Sequence, residues 1–332
     1  MAYLGWKIFL DDFTVSSQRS AILSEYLIGA GGWAYFSVAG VHPLVSYSRA
    51  FDFVEVNSTY YQVPPLAEVR KWREMVPSSF EFAVRAHRSV ISLTKPSQKS
   101  NALVAFDKAK QVCAALRAQI LHIHVPASFR LSRSWISDFR DFISSADFDG
   151  LRPAIEIRGV RSSKLPPELL ELMRNYNMIH CTDIAKGEMP AYDSDVLYTR
   201  LFGKGTHNIY QPTDEELKEV DSRALSTNSQ KIVMSFHFVR MYKDAARLKI
   251  YKQTGTFPKV TESTGLASLQ DVLGEDAEFP STKQALIDNQ GWKLFDTNER
   301  KRIRVGEVLH RLPDKTYLNV SEVIDSLESM LE

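Results

Sequence analysis

Short apolar segments recur along this chain, and stretches with helical periodicity separate most of them. Each segment has about the length of a buried strand and is rich in β-branched or aromatic residues. The segments are Tyr26–Gly29, Phe53–Asn57, Phe80–Arg85, Ile120–Val125, Ala154–Arg158, Met178–Thr182, Val196–Leu201 and Lys231–Phe236. The pattern predicts eight β-strands that are buried on both faces.

Helical periodicity in the intervening stretches predicts helices over Leu66–Met75, Ala102–Ala118, Trp135–Ser145, Pro167–Tyr176 and Asp214–Leu225. Strand–helix alternation indicates parallel pairing, because each crossover returns the chain to the same end of the sheet. Eight such units favour a closed barrel, so the predicted fold class is α/β, a (β/α)₈ TIM barrel. The connection between the sixth and seventh strands is short and has little helical signal, which predicts one irregular unit.

The predicted domain organisation places one barrel at residues 25–244. Residues 1–24 are predicted to be an N-terminal addition. Residues 245–332 contain scattered glycines and prolines and are predicted to be a C-terminal extension of helices and loops packed on the barrel. A second small domain is the alternative for this last region.

The charge balance and the hydrophobicity of the chain bear on which partners it binds. The 41 basic and 40 acidic residues of the 332-residue chain give a net charge of +1, so no overall charge attracts nucleic acid or an anionic membrane. The N-terminus lacks the basic-then-apolar order of a signal peptide, and no uncharged run approaches the ~20 residues that span a bilayer. With Cys113 and Cys181 as the two cysteines, we expect a cytoplasmic protein with no membrane partner.

Polar residues stand at the ends of strands that should otherwise be apolar. Members of the pairs Glu55 and Asn57, His122 and His124, and Glu156 and Arg158 lie two residues apart and therefore point the same way. Arg85, Asp183, Arg200 and His237 lie at or just after the ends of four further strands. In a parallel barrel all these ends meet at one mouth, where active sites form.

A buried charge without a partner costs several kcal/mol, so these groups must pair with one another or bind a ligand. We interpret the whole set as a ligand site, and the alternative is a network in which these charges pair only with one another.

The predicted catalytic residues are Glu55, Asn57, Glu156, Asp183 and His237. The predicted substrate-binding residues are Trp33, Tyr35, Tyr60, Arg85, Arg88, His124, Arg158 and Arg200. The aromatic residues would stack on a sugar or base, or else only fill the top of the barrel. Whether a divalent metal serves as cofactor stays open, as does the oligomeric state.

Several motifs resemble the domain-of-unknown-function family 72, also called YecE-like. Gly32–Tyr35 is similar to the family's GWSY, and Phe53–Tyr61 is similar to its FxxVEVNSTFY. Ala154–Arg158 resembles VEFRH, Tyr198–Gly203 resembles YxRxHG, and residues 240–332 look like an archaeal-type branch with a longer C-terminus. The resemblance implies a TIM barrel of the xylose-isomerase-like kind and no settled activity.

Three functions fit these residues. The first is a phosphodiester hydrolase, such as a nucleic-acid endonuclease, in which arginines hold phosphate and the acids and His237 bind a metal or move protons. The second is an isomerase or lyase that acts on a small sugar phosphate or sugar acid. The third is a non-catalytic binding protein. The expected partner is therefore an anionic small molecule or nucleic acid at the barrel mouth.

Overall fold

The structure is a computed structural model that describes residues 24–92 and 96–330. Most of the predicted N-terminal addition, residues 1–23, lies outside the described residues. The principal strands are β1 (Glu25–Ala30), β2 (Phe53–Val56), β3 (Glu81–Arg85), β4 (Ile120–Val125), β5 (Arg152–Ile157), β6 (Ile179–Cys181), β7 (Val196–Leu201) and β8 (Lys231–Phe236). All eight coincide with segments predicted from the hydrophobic pattern, with bounds that differ by at most a few residues.

These strands form a single parallel barrel. The sheet order is β6-β5-β4-β3-β2-β1-β8-β7, and a parallel bridge between Thr182 and Thr199 joins the chain after β6 to β7 and so closes the ring. The (β/α)₈ prediction is therefore confirmed.

Helices connect most of the strands. They are α1 (Pro43–Ala50), α2 (Leu66–Glu74), α3 (Pro96–Leu116), α4 (Arg133–Ser145), α5 (Pro167–Asn175) and α6 (Asp214–Leu225). The helix α1 is absent from the sequence prediction. It begins with Pro43 in its first turn, where a missing N–H costs nothing, and the His42 side chain accepts a hydrogen bond from the Leu44 N–H. Between β6 and β7 the described chain makes a 3₁₀ turn, Ile184–Lys186, and no α-helix. This is the irregular unit that the sequence predicted.

The barrel interior is apolar toward the amino ends of the strands. Its buried cluster consists of Leu27, Phe53, Ala83, Ile120, Ala154, Ile179, Cys181, Tyr198 and Val233. Side chains alternate faces along a strand, so the next inward position after Phe53 is Glu55, and the next after Ala83 is Arg85. The interior therefore changes from apolar to polar toward the carboxyl ends.

The chain divides into two compact units. The first unit contains the described residues as far as Thr182, together with 189–199 and 224–235, and it holds almost all of the barrel sheet. The second unit contains 183–188, 200–223 and the described residues from Phe236 onward.

The second unit adds helices and two small antiparallel sheets. Its further helices are α7 (Met241–Thr254), α8 (Gly265–Gly274), α9 (Lys283–Gln290), α10 (Val305–Leu309) and α11 (Val320–Glu328). Its short strands are β9 (Ser281–Thr282), β10 (Leu294–Asp296), β11 (Arg302–Arg304) and β12 (Thr316–Tyr317), which pair as β10 with β11 and β12 with β9. A separate buried cluster that includes Leu269, Leu286, Phe295 and Val323 joins α8, α9, β10, α10 and α11. The predicted packing of residues 245–332 on the barrel stays a prediction.

None of the helices within the described residues combines the length and the apolar character that crossing a bilayer requires.

Candidate functional site

The polar residues of the first unit lie next to one another at the carboxyl ends of neighbouring strands. In the sheet register Arg85 of β3 is opposite His122 of β4, and His124 of β4 is opposite Glu156 of β5. We use the name polar cluster for Glu55, Asn57, Tyr60, Arg85, His122, His124, Glu156, Arg158 and Tyr198. The structure thus brings together seven of the site residues predicted from the sequence and adds His122 and Tyr198.

The deepest member of the polar cluster is Glu55 on β2. Its Oε2 accepts a hydrogen bond of 2.5 Å from the Tyr198 hydroxyl, and both residues are 0% exposed. A buried carboxyl group needs such a donor, because burial without one costs several kcal/mol. The sequence interpretation overlooked Tyr198, although its position two residues before Arg200 places it on the same face of the strand as that polar residue.

Glu156 is bound from two sides. Its Oε2 lies 3.1 Å from His122 Nε2, and its Oε1 accepts a 2.7 Å hydrogen bond from Arg158 Nε. His122 is fully buried, whereas the Arg158 side chain is 41% exposed. The Glu156 carboxylate therefore connects the barrel interior with a cation that solvent or a ligand can reach.

Arg85 is fixed by a polar and an aromatic partner. Its Nη1 donates a 2.7 Å hydrogen bond to Asn57 Oδ1, and its guanidinium carbon lies 3.7 Å from the centre of the Tyr60 ring. The Thr59 hydroxyl, 2.6 Å from the Arg85 carbonyl oxygen, ties the loop after β2 to the end of β3. A guanidinium stacked on an aromatic face is well oriented for a planar anion.

The two ring nitrogens of His124 differ in their contacts. Its Nδ1 lies 3.4 Å from the Tyr60 hydroxyl, while its Nε2 is buried and has no hydrogen-bond partner among the residues that the structure describes. Burial lowers the pKa of His124 to about 3, with Arg85 and Arg158 acting in the same direction and Glu156 opposing them. The imidazole is therefore neutral near pH 7, with one ring nitrogen left to satisfy.

Three predicted residues lie on loops of the first unit, outside these contacts. Trp33 packs edge-to-face on Trp72 with ring centres 5.1 Å apart, and Tyr35 is 78% exposed. Arg88 is exposed at the start of the 3₁₀ turn Arg88–Ile91. Their roles in substrate binding stay predictions.

Asp183, Arg200 and His237 belong to the second unit. Asp183 caps the 3₁₀ turn that follows it by accepting from the Ala185 N–H, and its other oxygen accepts from the Phe202 N–H. The Phe202 ring stacks on His237 with centres 4.6 Å apart, and the Arg200 guanidinium carbon lies 5.0 Å from the same ring. A catalytic or binding role for these three residues stays a prediction.

The grouping of the acidic, histidine and cysteine side chains bears on metal binding. Within residues 24–92 and 96–330, no three or more His, Cys, Asp or Glu side chains are grouped so that they could hold a metal ion. Whether a divalent metal takes part stays open.

Together these features define the class: a (β/α)₈ barrel whose interior carries acids, imidazoles and arginines at the carboxyl ends of its strands. The family model described as "Protein of unknown function DUF72" matches residues 27–253, so the chain belongs to this family. The resemblance seen in the motifs is thereby confirmed.

Solved structures of two family members have the same fold. A DUF72 family protein from Enterococcus faecalis V583 is 15% identical and superposes with a TM-score of 0.53 over 71% of this chain and 99% of its own. A DUF72 family protein from Thermotoga maritima MSB8 is 19% identical, with a TM-score of 0.53 over 69% and 99% of the two chains. A D-psicose 3-epimerase from Clostridium cellulolyticum H10 is 10% identical, with a TM-score of 0.48 over 68% and 98%. No curated protein matches the chain.

Proposed function

We propose that this protein is an enzyme that moves a proton on a small anionic substrate with a hydroxyl or carbonyl group, such as a sugar phosphate or sugar acid. The reaction class would be isomerase or lyase. The observation that carries the proposal is His124: a neutral imidazole whose buried Nε2 is unsatisfied among the described residues, within the electrostatic reach of Arg85 and Arg158.

The arginines supply the attraction for the anion. Arg158 is partly exposed and binds Glu156 through Nε, so the solvent-facing part of its guanidinium can meet a phosphate or carboxylate. Arg85 is oriented by Asn57 and Tyr60. Fixed donors of this kind bind planar or tetrahedral oxyanions in one orientation.

Glu156 is the candidate base. It would take a proton from the carbon next to a substrate carbonyl, and the electron pair left on carbon would move onto the carbonyl oxygen. His124, when Tyr60 donates to its Nδ1, carries a proton on Nε2 and would donate a hydrogen bond to that oxygen. Return of the proton to a neighbouring carbon completes an isomerisation, and departure of a group completes a lyase reaction. A positioned acid or base contributes about 10²–10⁴-fold to such rates.

The phosphodiester hydrolase predicted from the sequence stays a prediction, and none of the contacts described above is specific to it. A non-catalytic role has one observation in its favour. The acids of the polar cluster already have partners, Glu55 with Tyr198 and Glu156 with His122 and Arg158.

One experiment separates these functions. The protein is incubated in D₂O with a panel of sugar phosphates and sugar acids, with and without Mg²⁺, Mn²⁺ or Zn²⁺, and the loss of C–H signals beside a carbonyl is followed by ¹H NMR. We expect exchange or conversion of at least one compound, and a rate about 10²–10⁴-fold lower in Glu156→Gln. Glu81→Gln is the matched control, because Glu81 pairs with Lys231 at the other end of the barrel, and it should retain the rate.

Cleavage of a duplex, flapped or abasic DNA substrate, with no exchange in the panel, would favour the hydrolase and contradict the proposal. Absence of both activities, together with an undiminished affinity of Glu156→Gln for any anion that binds, would favour the non-catalytic role.

A further inference from the structure

A second cavity lies on the outside of the barrel, within the first unit. Residues 182–195, all of them described, contain a 3₁₀ turn and no α-helix, so the outer faces of β6 and β7 are covered by an irregular segment instead of a crossover helix. The outer cavity that remains has a volume of about 110 Å³. Its wall includes His180, Tyr192, Leu197, Ser226, Thr227 and Ser229. An engineered cavity of about 150 Å³ binds benzene. The outer cavity is smaller, which limits a ligand to a short chain or a small ring that extends toward the exposed rim.

His180 gives the outer cavity a directed hydrogen-bond donor. Its Nδ1 accepts a 2.9 Å hydrogen bond from the Ala191 N–H, which leaves the proton of the neutral imidazole on Nε2. The described residues provide no acceptor for that Nε2–H. Burial lowers the pKa of His180 to about 4, so the ring is neutral near pH 7.

The charges around the outer cavity select a neutral ligand. No Lys or Arg is found among the described residues that line it, and Asp193 stands at its exposed rim. The arginines behind its wall are engaged, Arg152 with Asp195 and Ser194 and Arg174 with the Tyr192 ring. A carboxylate or phosphate would lose its hydration without gaining a cation in the lining, and it would meet the Asp193 charge. A carbonyl oxygen accepts from an imidazole N–H at no such cost.

We propose that the outer cavity is a binding site for small neutral carbonyl compounds, such as lactams and primary amides, whose oxygen accepts from His180 Nε2–H. The ring or chain of the ligand packs on the apolar part of the wall, which includes Leu197. Tyr192 helps to hold His180 in place, since the two rings lie nearly parallel with centres 6.4 Å apart. This site is separate from the polar cluster and does not depend on the proposed function.

The test uses 2-pyrrolidone as the probe, with cyclopentane and propanoate as ligands that lack the neutral carbonyl. Saturation-transfer NMR measures binding to the full chain. A ¹⁵N-edited spectrum of the histidine rings reports the tautomer of His180. We expect saturable binding of 2-pyrrolidone alone, an Nε2–H tautomer, and a shift of that resonance on binding. His180→Phe should weaken binding on the order of tenfold, since one neutral hydrogen bond is lost.

Because His180→Phe also removes the acceptor of the Ala191 N–H and could disturb the fold, Ser226→Trp at the exposed rim is the second variant. It should block binding, whereas the exposed Ser222→Trp, outside the lining, should not. An Nδ1–H tautomer, equal binding of cyclopentane or propanoate, the absence of saturable 2-pyrrolidone binding, or undiminished binding in Ser226→Trp would each overturn the proposal.

Discussion

Both compact units bury charged side chains, but they neutralise them differently. In the second unit, Asp214 binds Arg247 and Arg302, Arg302 also binds Asp296, and Arg247 also binds Asp244. We call these five residues the charge network. In the polar cluster, Glu55 accepts a hydrogen bond from a tyrosine hydroxyl, and Glu156 contacts a histidine and a partly exposed arginine.

This difference indicates a structural role for the charge network and favours a ligand-binding role for the polar cluster. Every arginine of the charge network is nearly inaccessible, with side chains 3–4% exposed, and meets two carboxylates. Its charges are paired within the protein, although Asp244 Oδ2 and Arg247 Nε are buried without a hydrogen-bond partner among the described residues. The polar cluster differs in that one of its cations can be reached by solvent, since the Arg158 side chain is 41% exposed, and in that it holds a neutral imidazole, His124, beside that cation. A binding site for an anion needs a cation that the ligand can reach, and the charge network offers none.

The largest expected effect is on the stability of the second unit. Asp214→Asn removes the carboxylate shared by two buried guanidinium groups, and breaking a buried ion pair in this way costs about 3–5 kcal/mol. Urea denaturation should show this loss. Asp147→Asn is the control, because Asp147 is exposed and pairs with Lys110 on the surface, and it should leave stability unchanged. Equal small effects of both variants would show that the charge network is not structural.

The two units should also respond to pH with opposite sign. His124 has a pKa lowered from 6.5 to about 3 by burial, so the unfolded chain binds the proton more readily than the native one. The contribution of neutral His124 to the free energy of unfolding is fully present above pH 6.5. It is lost as pH falls toward 3, by at most about 1.4 kcal/mol per pH unit. Asp244 has a pKa raised from 3.8 to about 6, mainly by burial against the opposing effect of Arg247. Its contribution is fully present below pH 3.8 and is lost as pH rises through about 6.

Amide hydrogen exchange, resolved by unit over about pH 4–7, measures both slopes. His124→Gln should flatten the dependence of the first unit, and Asp244→Asn should flatten that of the second. If each variant left the slope of its own unit unchanged, the burial that separates these two groups from water would be contradicted.

The sequence could predict the barrel because each strand and helix is visible in the hydrophobic pattern of a short segment. Each strand is a short apolar run, and polar residues two apart on β2, β4 and β5 must share a face, which is why Glu55, His124 and Glu156 can be identified together. Pairing could not be predicted in the same way. That Tyr198 donates to Glu55 depends on which inward positions of distant strands lie at the same height in the barrel. That Asp183 caps a turn depends on the backbone of the next two residues.

An intermediate effect on stability is expected at the centre of the polar cluster. Glu156→Gln keeps the shape of the side chain, and Arg158 can return to solvent, so the free energy of unfolding should fall by only about 1 kcal/mol. The same variant should abolish most of the proton exchange. A loss of stability as large as that of Asp214→Asn would mean that the polar cluster is held by its charges, as the charge network is, and would favour the non-catalytic role.

The smallest expected effect on stability is at Arg158. Its side chain is 41% exposed and its ion pair with Glu156 is open to solvent on one side, so Arg158→Gln should change the free energy of unfolding by less than about 0.5 kcal/mol. Affinity for an anionic substrate should nevertheless fall on the order of tenfold or more, because a charge-assisted hydrogen bond is lost. Isothermal titration with the compound found by exchange measures this, and Arg152→Gln, whose guanidinium pairs with Asp195 near the amino ends of the strands, is the matched control. The polar cluster differs from the charge network if one of its arginines contributes to ligand affinity but not to stability. Equal affinities of Arg158→Gln and Arg152→Gln would contradict this difference.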